Sequence, residues 1–112
     1  MIKALSILLL SFSLVSQAEE ARRFDLRLAG GALVQSQQLI KVTQGEAVQI
    51  WWYSDQALAL HLHGYDISLA VQPQVPAVMA FKARATGRFP ISRHGEGHDD
   101  HQTLLYLEVH PR

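Results

Sequence analysis

The chain has 112 residues, no cysteine, and ten basic residues balanced by ten acidic ones when its six histidines are counted as neutral. This length fits one small domain, and the balanced charge argues against a surface built for nucleic acid or an anionic membrane. Because thiols are absent, the chain can form neither a disulfide nor a thiolate-metal bond.

The start of the chain has the pattern of a secretory signal peptide. Lys3 supplies a positive charge, residues 4–15 form an apolar run, and residues 16–18, Ser-Gln-Ala, resemble a cleavage site. The apolar run is shorter than the ~20 residues that a membrane-spanning helix needs. We therefore predict a signal peptide over residues 1–18, a mature domain over residues 19–112, a periplasmic location, and no membrane insertion after cleavage.

Short runs that alternate apolar and polar residues follow in chain order, separated by turn signals. The predicted strands are residues 23–28, 39–42, 48–53, 58–63, 65–71, 78–83, 89–92 and 103–109. Alternation with turns every 8–12 residues or so indicates an antiparallel sandwich or barrel. Seven or eight strands in a domain of this length predict an all-β, Greek-key β-sandwich.

The first histidine cluster lies in one predicted strand, in the run HLHGYD that contains His61 and His63. Residues two apart in a strand point to the same side, so the two imidazoles share a face while the intervening leucines face the core. The turn that begins at Gly64 places them at an end of the sandwich, where sites are commonly built. A metal-binding pair and a solvated outer face both fit this pattern.

The second cluster, His94, His98 and His101, lies in the predicted loop RHGEGHDDH before the last strand. The two glycines of this loop let the backbone bend, and its carboxylates can serve as extra ligands or as partners of the ligands. Such a donor set suits Cu(II), Zn(II) or Ni(II). The alternative is a polar hairpin loop that binds no metal.

Laid along this strand order, the mature chain resembles the cupredoxins, in particular the small periplasmic cupredoxin-like proteins. The resemblance covers essentially the whole mature chain and rests on IKVTQGEAVQIWW at 40–52, HGYDI at 63–67, the stretch 81–89, and LLYLEVHP at 104–111. It implies a cupredoxin-like β-sandwich, and it implies that His63 corresponds to the first copper histidine of the family.

The chain departs from the family in the loop before the last strand. Where the family supplies Cys, His and usually Met, this sequence has Ser92, Arg93 and His94, followed by further histidines. A blue-copper centre requires a thiolate. The resemblance therefore supports the fold and His63, but not blue-copper electron transfer.

These observations predict an exported metal-binding protein that binds Cu(II) for copper buffering, delivery or tolerance, with a periplasmic copper-handling protein as a candidate partner. The predicted ligands are His61, His63, His94, His98 and His101. Copper is favoured because Cu(II) heads the divalent affinity order and because of the resemblance, while zinc is the main competitor. Two alternatives stay open, a metal-free interaction module and a small copper or zinc enzyme, although the sequence favours binding over catalysis and names no substrate.

Overall fold

The computed structural model describes residues 3, 4, 6–13, 20–94 and 101–112. Within these residues the chain forms strands and no helix, so the all-β prediction is confirmed. The short β2 is the one strand that the alternating pattern does not predict. The strands are β1 (Arg22–Ala29), β2 (Ala32–Leu33), β3 (Leu39–Thr43), β4 (Ala47–Ser54), β5 (Leu58–Leu62), β6 (Ile67–Val71), β7 (Ala77–Lys82), β8 (Gly87–His94) and β9 (His101–His110).

The strands form two sheets that pack as a sandwich. One sheet has the order β2-β1-β4-β7, and the other has the order β3-β9-β8-β5-β6. The sheets are mixed rather than purely antiparallel, because β1 pairs with β4 in parallel and β3 pairs with β9 in parallel. The chain changes sheets between β3 and β4, so these strands find partners that are distant in the sequence. In the second sheet, β5, β8 and β9 lie side by side.

The core lies between the two sheets and consists of the inward-facing residues of the alternating runs. Burial of each large apolar side chain contributes roughly 1.5–3 kcal/mol, which fixes the face that every strand turns inward. Trp52 is fully buried and Met79 is only 1% exposed. The buried cluster comprises Leu26, Leu28, Ile40, Val42, Val48, Ile50, Trp52, Leu58, Leu60, Leu62, Val71, Met79, Ala83, Ile91, Leu105, Leu107 and Val109.

The described residues before the sandwich, 3, 4 and 6–13, form no regular secondary structure. Their large apolar side chains are exposed and take no part in the core, as Phe12 at 89% exposure illustrates. A search of the described residues finds no helix of the length and apolarity needed to cross a membrane. The signal peptide and the boundary of the mature domain stay predictions, because residues 14–19 lie outside the described part of the chain.

Candidate metal centre

Strand β5 and the residue that follows it place the first two histidines on the outer face of the sheet. Leu58, Leu60 and Leu62 are buried in the core, so His61 and His63 must point to the other side. The side chain of His61 is 23% exposed, and His63 is also partly buried. The orientation expected from the alternating pattern is the one observed.

Strands β8 and β9 bring two further histidines to the same face. His94 is the last residue of β8 and lies opposite Ala59 of β5, while His101 is the first residue of β9 and lies opposite His94. Residues opposite each other on neighbouring strands share a face of the sheet. Ala59 and His61 lie two residues apart on the same face of β5. His94, which lies opposite Ala59, is therefore close to His61.

Together these four residues, His61, His63, His94 and His101, form what we call the histidine surface. The ring centroids of His61 and His63 are 4.3 Å apart, those of His94 and His101 are 4.2 Å apart, and those of His61 and His94 are 6.2 Å apart. Nδ1 of His61 lies 3.4 Å from Nε2 of His63. The fold thus joins two clusters that are about thirty residues apart in the sequence.

The distance between Nδ1 of His61 and Nε2 of His63 can be compared with that between two nitrogens that bind one metal. Nitrogens that bind one metal at about 2.05 Å are about 3.3 Å apart at a tetrahedral angle and about 2.9 Å apart at a right angle. The distance of 3.4 Å between Nδ1 of His61 and Nε2 of His63 is close to the tetrahedral value. A small rotation of one ring brings the two nitrogens to either separation. Among the described residues, no three histidine, aspartate or glutamate side chains are arranged to hold one metal ion. The described histidines therefore form pairs of candidate ligands, and the complete set of metal ligands stays a prediction.

Electrostatics favour the neutral form of His63. Partial burial lowers the pKa of His63 below its ordinary value of 6.5, and the imidazoles of His61, His101 and His94 lower it further. Burial disfavours the charged ring, and each neighbouring ring, when protonated, repels a second positive charge. His63 therefore stays neutral to a lower pH than an isolated histidine, and neutral imidazole is the form that binds metal.

Asp66 is a neighbour of the site that is not among the predicted residues. Its Oδ1 lies 3.6 Å from Nε2 of His61, and its φ of 54° lies in the left-handed region that aspartate tolerates better than most residues. At this distance the contact is electrostatic rather than a hydrogen bond. Carboxylates commonly lie next to metal-binding histidines and orient them. The turn HGYD carries this acidic residue, but sequence alone does not show which ring it approaches.

The turn after β5 is fixed by packing against β8. The backbone N–H of His63 donates to the carbonyl of Pro90 at 3.0 Å. Gly64 has a φ of +85°, and a Cβ added there would lie 2.7 Å from Cε1 of Phe89 and closer still to Cδ1. The Phe89 ring packs edge-on against Tyr65, with the centroids 5.0 Å apart. The backbone of His63 is thus anchored to the neighbouring strand.

Ser92 and Arg93 occupy the segment where the resemblance places a cysteine. Ser92 is 4% exposed and lies opposite His61 in the ladder. Arg93 lies opposite Leu60, a core residue, and its guanidinium lies against Gly31 and donates to Oε1 of Gln102 at 2.8 Å. The guanidinium of Arg93 therefore points away from the histidine surface.

His98 and the acidic residues of its loop lie outside the described residues, so its role as a ligand stays a prediction. The remaining histidine, His110, lies at the far end of β9 from His101. Its ring Nε2 is 2.6 Å from Oε1 of Glu108, and about half of its side chain is exposed. It takes no part in the histidine surface and can serve as a control in metal-binding experiments.

Comparison with known proteins finds similarity in structure but not in sequence. No protein-family model matches the chain, and no curated protein matches it. A solved multi-copper oxidase from Pseudomonas thermotolerans is 18% identical, with a TM-score of 0.65, over 85% of this chain and 31% of that one. A copper-containing nitrite reductase from Thermus scotoductus SA-01 is 18% identical, with a TM-score of 0.64, over 83% of this chain and 28% of that one. A blue copper oxidase from Nitrosomonas europaea is 13% identical, with a TM-score of 0.61, over 81% of this chain and 44% of that one.

The chain thus spans less than half the length of each of these three structures. At these sequence identities the structural similarity establishes a shared fold. It does not assign the activity of the larger proteins to this chain. The chain has the fold of a cupredoxin-like β-sandwich.

Proposed function

We propose that this protein is an exported Cu(II)-binding protein that holds the metal through imidazoles of the histidine surface, centred on His61 and His63. The main support is the 3.4 Å between Nδ1 of His61 and Nε2 of His63, a separation suited to two ligands of one metal. The ring centroid of His94 lies 6.2 Å from that of His61, which makes His94 a candidate for a third ligand. The lowered pKa of His63 supports the same role because protons compete less for its nitrogen.

The donor set decides which kind of copper site fits. A blue-copper site does not fit, because the chain has no cysteine and the corresponding segment holds Ser92 and Arg93. Met79, the thioether within the sandwich, is 1% exposed in the core and cannot reach the outer face. Soft sulfur ligands select Cu(I), whereas imidazole suits Cu(II). A nitrogen-rich site without thiolate favours binding and release of Cu(II) over rapid electron transfer.

Copper is preferred to zinc for two reasons. Cu(II) binds nitrogen sites more tightly than other divalent ions of its series, and the three solved proteins with similar architecture are described as copper proteins. The signal-peptide pattern of residues 1–18 supports export to the periplasm. Buffering, delivery to a periplasmic copper-handling protein, or copper tolerance are roles that such a protein can fill.

Electron paramagnetic resonance of the Cu(II)-loaded protein tests this proposal. We expect a nearly colourless protein with wide copper hyperfine splitting and nitrogen superhyperfine structure, because imidazoles and no thiolate supply the ligands. Replacing both His61 and His63 with alanine should reduce the nitrogen contribution, while His110→Ala should leave it unchanged. A spectrum that shows only oxygen ligands, or that is the same with and without His61 and His63, would contradict the proposal.

A metal-free interaction module is the second candidate. The described part of the chain holds no three potential ligands arranged about a single metal position. If neither Cu(II) nor Zn(II) binds in direct titration, this candidate becomes the better account of the sandwich.

A further inference from the structure

The histidine surface divides into two pairs. Ring centroids are 4.3 Å apart within the His61–His63 pair and 4.2 Å apart within the His94–His101 pair, but 6.2 Å apart between His61 and His94. Each pair can supply two nitrogens to one ion. His61 and His94 are close enough for their rings to approach each other by rotation of their side chains.

The His61–His63 pair, at the end of β5, is partly buried and has an anchored backbone. The backbone of His63 donates to Pro90, and the following Gly64 packs tightly on Phe89. Nε2 of His61 is near the carboxylate of Asp66. A pair whose backbone is fixed and whose side chains are partly buried before the metal arrives loses less conformational entropy on binding than an exposed pair, so these residues suit retention.

The other pair is at the end of its strands and is more accessible. His94 closes β8 and His101 opens β9; among the described residues His94 is paired with both Ala59 and His101, whereas His101 is paired with His94 alone. His101 is exposed to solvent, whereas His61, His63 and His94 are partly buried. An incoming ion or a partner protein therefore meets His101 before it meets the rings of His61 and His63.

We propose that the two pairs have different tasks in handling copper as cargo, a division that rests on the proposed function. His94 and His101 take up Cu(II) from solution or from a partner, and His61 and His63 retain it. The 6.2 Å between the rings of His61 and His94 allows a ligand of one pair to bind before the last ligand of the other leaves. Exchange of this kind avoids complete loss of ligands between the two positions.

Stopped-flow kinetics separate the two tasks. Uptake is followed by quenching of tryptophan fluorescence on mixing with Cu(II), and release by recovery of fluorescence on mixing with an excess of EDTA. We expect His101→Ala to lower the association rate constant, with a smaller effect on release, and His61→Ala to raise the release rate with association nearly unchanged. Each effect should be about tenfold, the lower end of what loss of a metal-site partner causes.

Controls keep this division of tasks distinct from the proposed function itself. His110→Ala should change neither rate, and circular dichroism checks the folding of each variant, with His101→Gln and His61→Gln as replacements where an alanine variant does not fold. If the wild-type protein fails to bind Cu(II), the proposed function fails. If the wild type binds and both variants alter the same rate constant by the same factor, the protein binds copper but the division of tasks is wrong.

Discussion

Cu(II) at about a hundredfold excess over its Kd is expected to raise the melting temperature of this protein by about 10–20 °C near neutral pH. A ligand that binds only the folded state stabilises it by about 2.7 kcal/mol at a concentration a hundredfold above its Kd. In a domain of this size, each kcal/mol shifts the melting temperature by about 4–8 °C. No disulfide masks the effect, because the chain has no cysteine. Differential scanning calorimetry at about pH 7.5, with and without Cu(II), measures the rise, which binding to the unfolded chain would reduce.

The same rise should largely vanish at about pH 5, because protons then occupy the imidazoles. The protein without metal should also lose stability over this range. The pKa of His63 is lower in the folded protein than its ordinary 6.5, so the unfolded chain binds more protons as the pH falls through about 6.5. Stability from this group is present above that pH and is lost progressively down to the folded-state pKa.

Two comparisons make the calorimetry decisive. A variant with His61→Ala and His63→Ala should show at most about half of the rise, because tenfold weaker binding leaves about 1.4 kcal/mol of the stabilisation, and His110→Ala should show the full rise. An equal rise at both pH values, or an equal rise in the double variant and the wild type, would mean that copper acts elsewhere on the chain.

Gly64→Ala is expected to destabilise the fold by about 2–5 kcal/mol, as the sum of a backbone cost and a packing cost. The backbone cost arises because φ at Gly64 is +85°, where a Cβ meets the following carbonyl. The packing cost arises because the added Cβ would overlap the ring of Phe89. That ring cannot retreat freely, since Tyr65 packs against it. Because His63 is the preceding residue, Cu(II) affinity should fall as well.

Gly30→Ala is the matched control for this substitution. Gly30 has a φ of +59°, but a Cβ added there meets no atom within 4 Å, so only the backbone cost of about 1–2 kcal/mol applies. Urea denaturation of both variants measures the difference. Gly64→Ala should be the less stable of the two, with a lower Cu(II) affinity, whereas Gly30→Ala should bind Cu(II) as the wild type does. Equal losses of stability would show that the contact with Phe89 does not position the turn.

Most of the strands could be predicted because apolar and polar residues alternate within each short segment of the sequence. The leucines of β5 and the residues of β4 alternate between core and outer face as their polarity indicates, and this periodicity placed eight of the strands. The parallel pairing of β1 with β4 was beyond prediction, because strand partners depend on contacts between distant segments. The two-residue β2 is too short to carry a periodic signal.

The site could be predicted in part for the same reason. The shared face of His61 and His63 follows from their spacing within one strand. That His94 approaches His61 depends on β8 lying beside β5, which only the fold reveals. The proximity of Asp66 to His61 depends on a left-handed turn conformation, and the anchoring of His63 depends on the side-chain packing of Phe89. Neither can be deduced from residue types alone.

Calorimetric titration with Cu(II) at about pH 7.5 tests most directly whether the histidine surface binds copper. Four proteins are compared: the wild type, His110→Ala, the double variant His61→Ala/His63→Ala, and a variant with all four surface histidines replaced by alanine. The wild type and His110→Ala should bind Cu(II) saturably and with equal affinity. Both should still bind Cu(II) when Zn(II) is present as a competitor. The double variant should bind at least about tenfold more weakly, and the fourfold variant should bind more weakly still. Undiminished binding by a folded fourfold variant, or no binding by the wild type, would contradict the account.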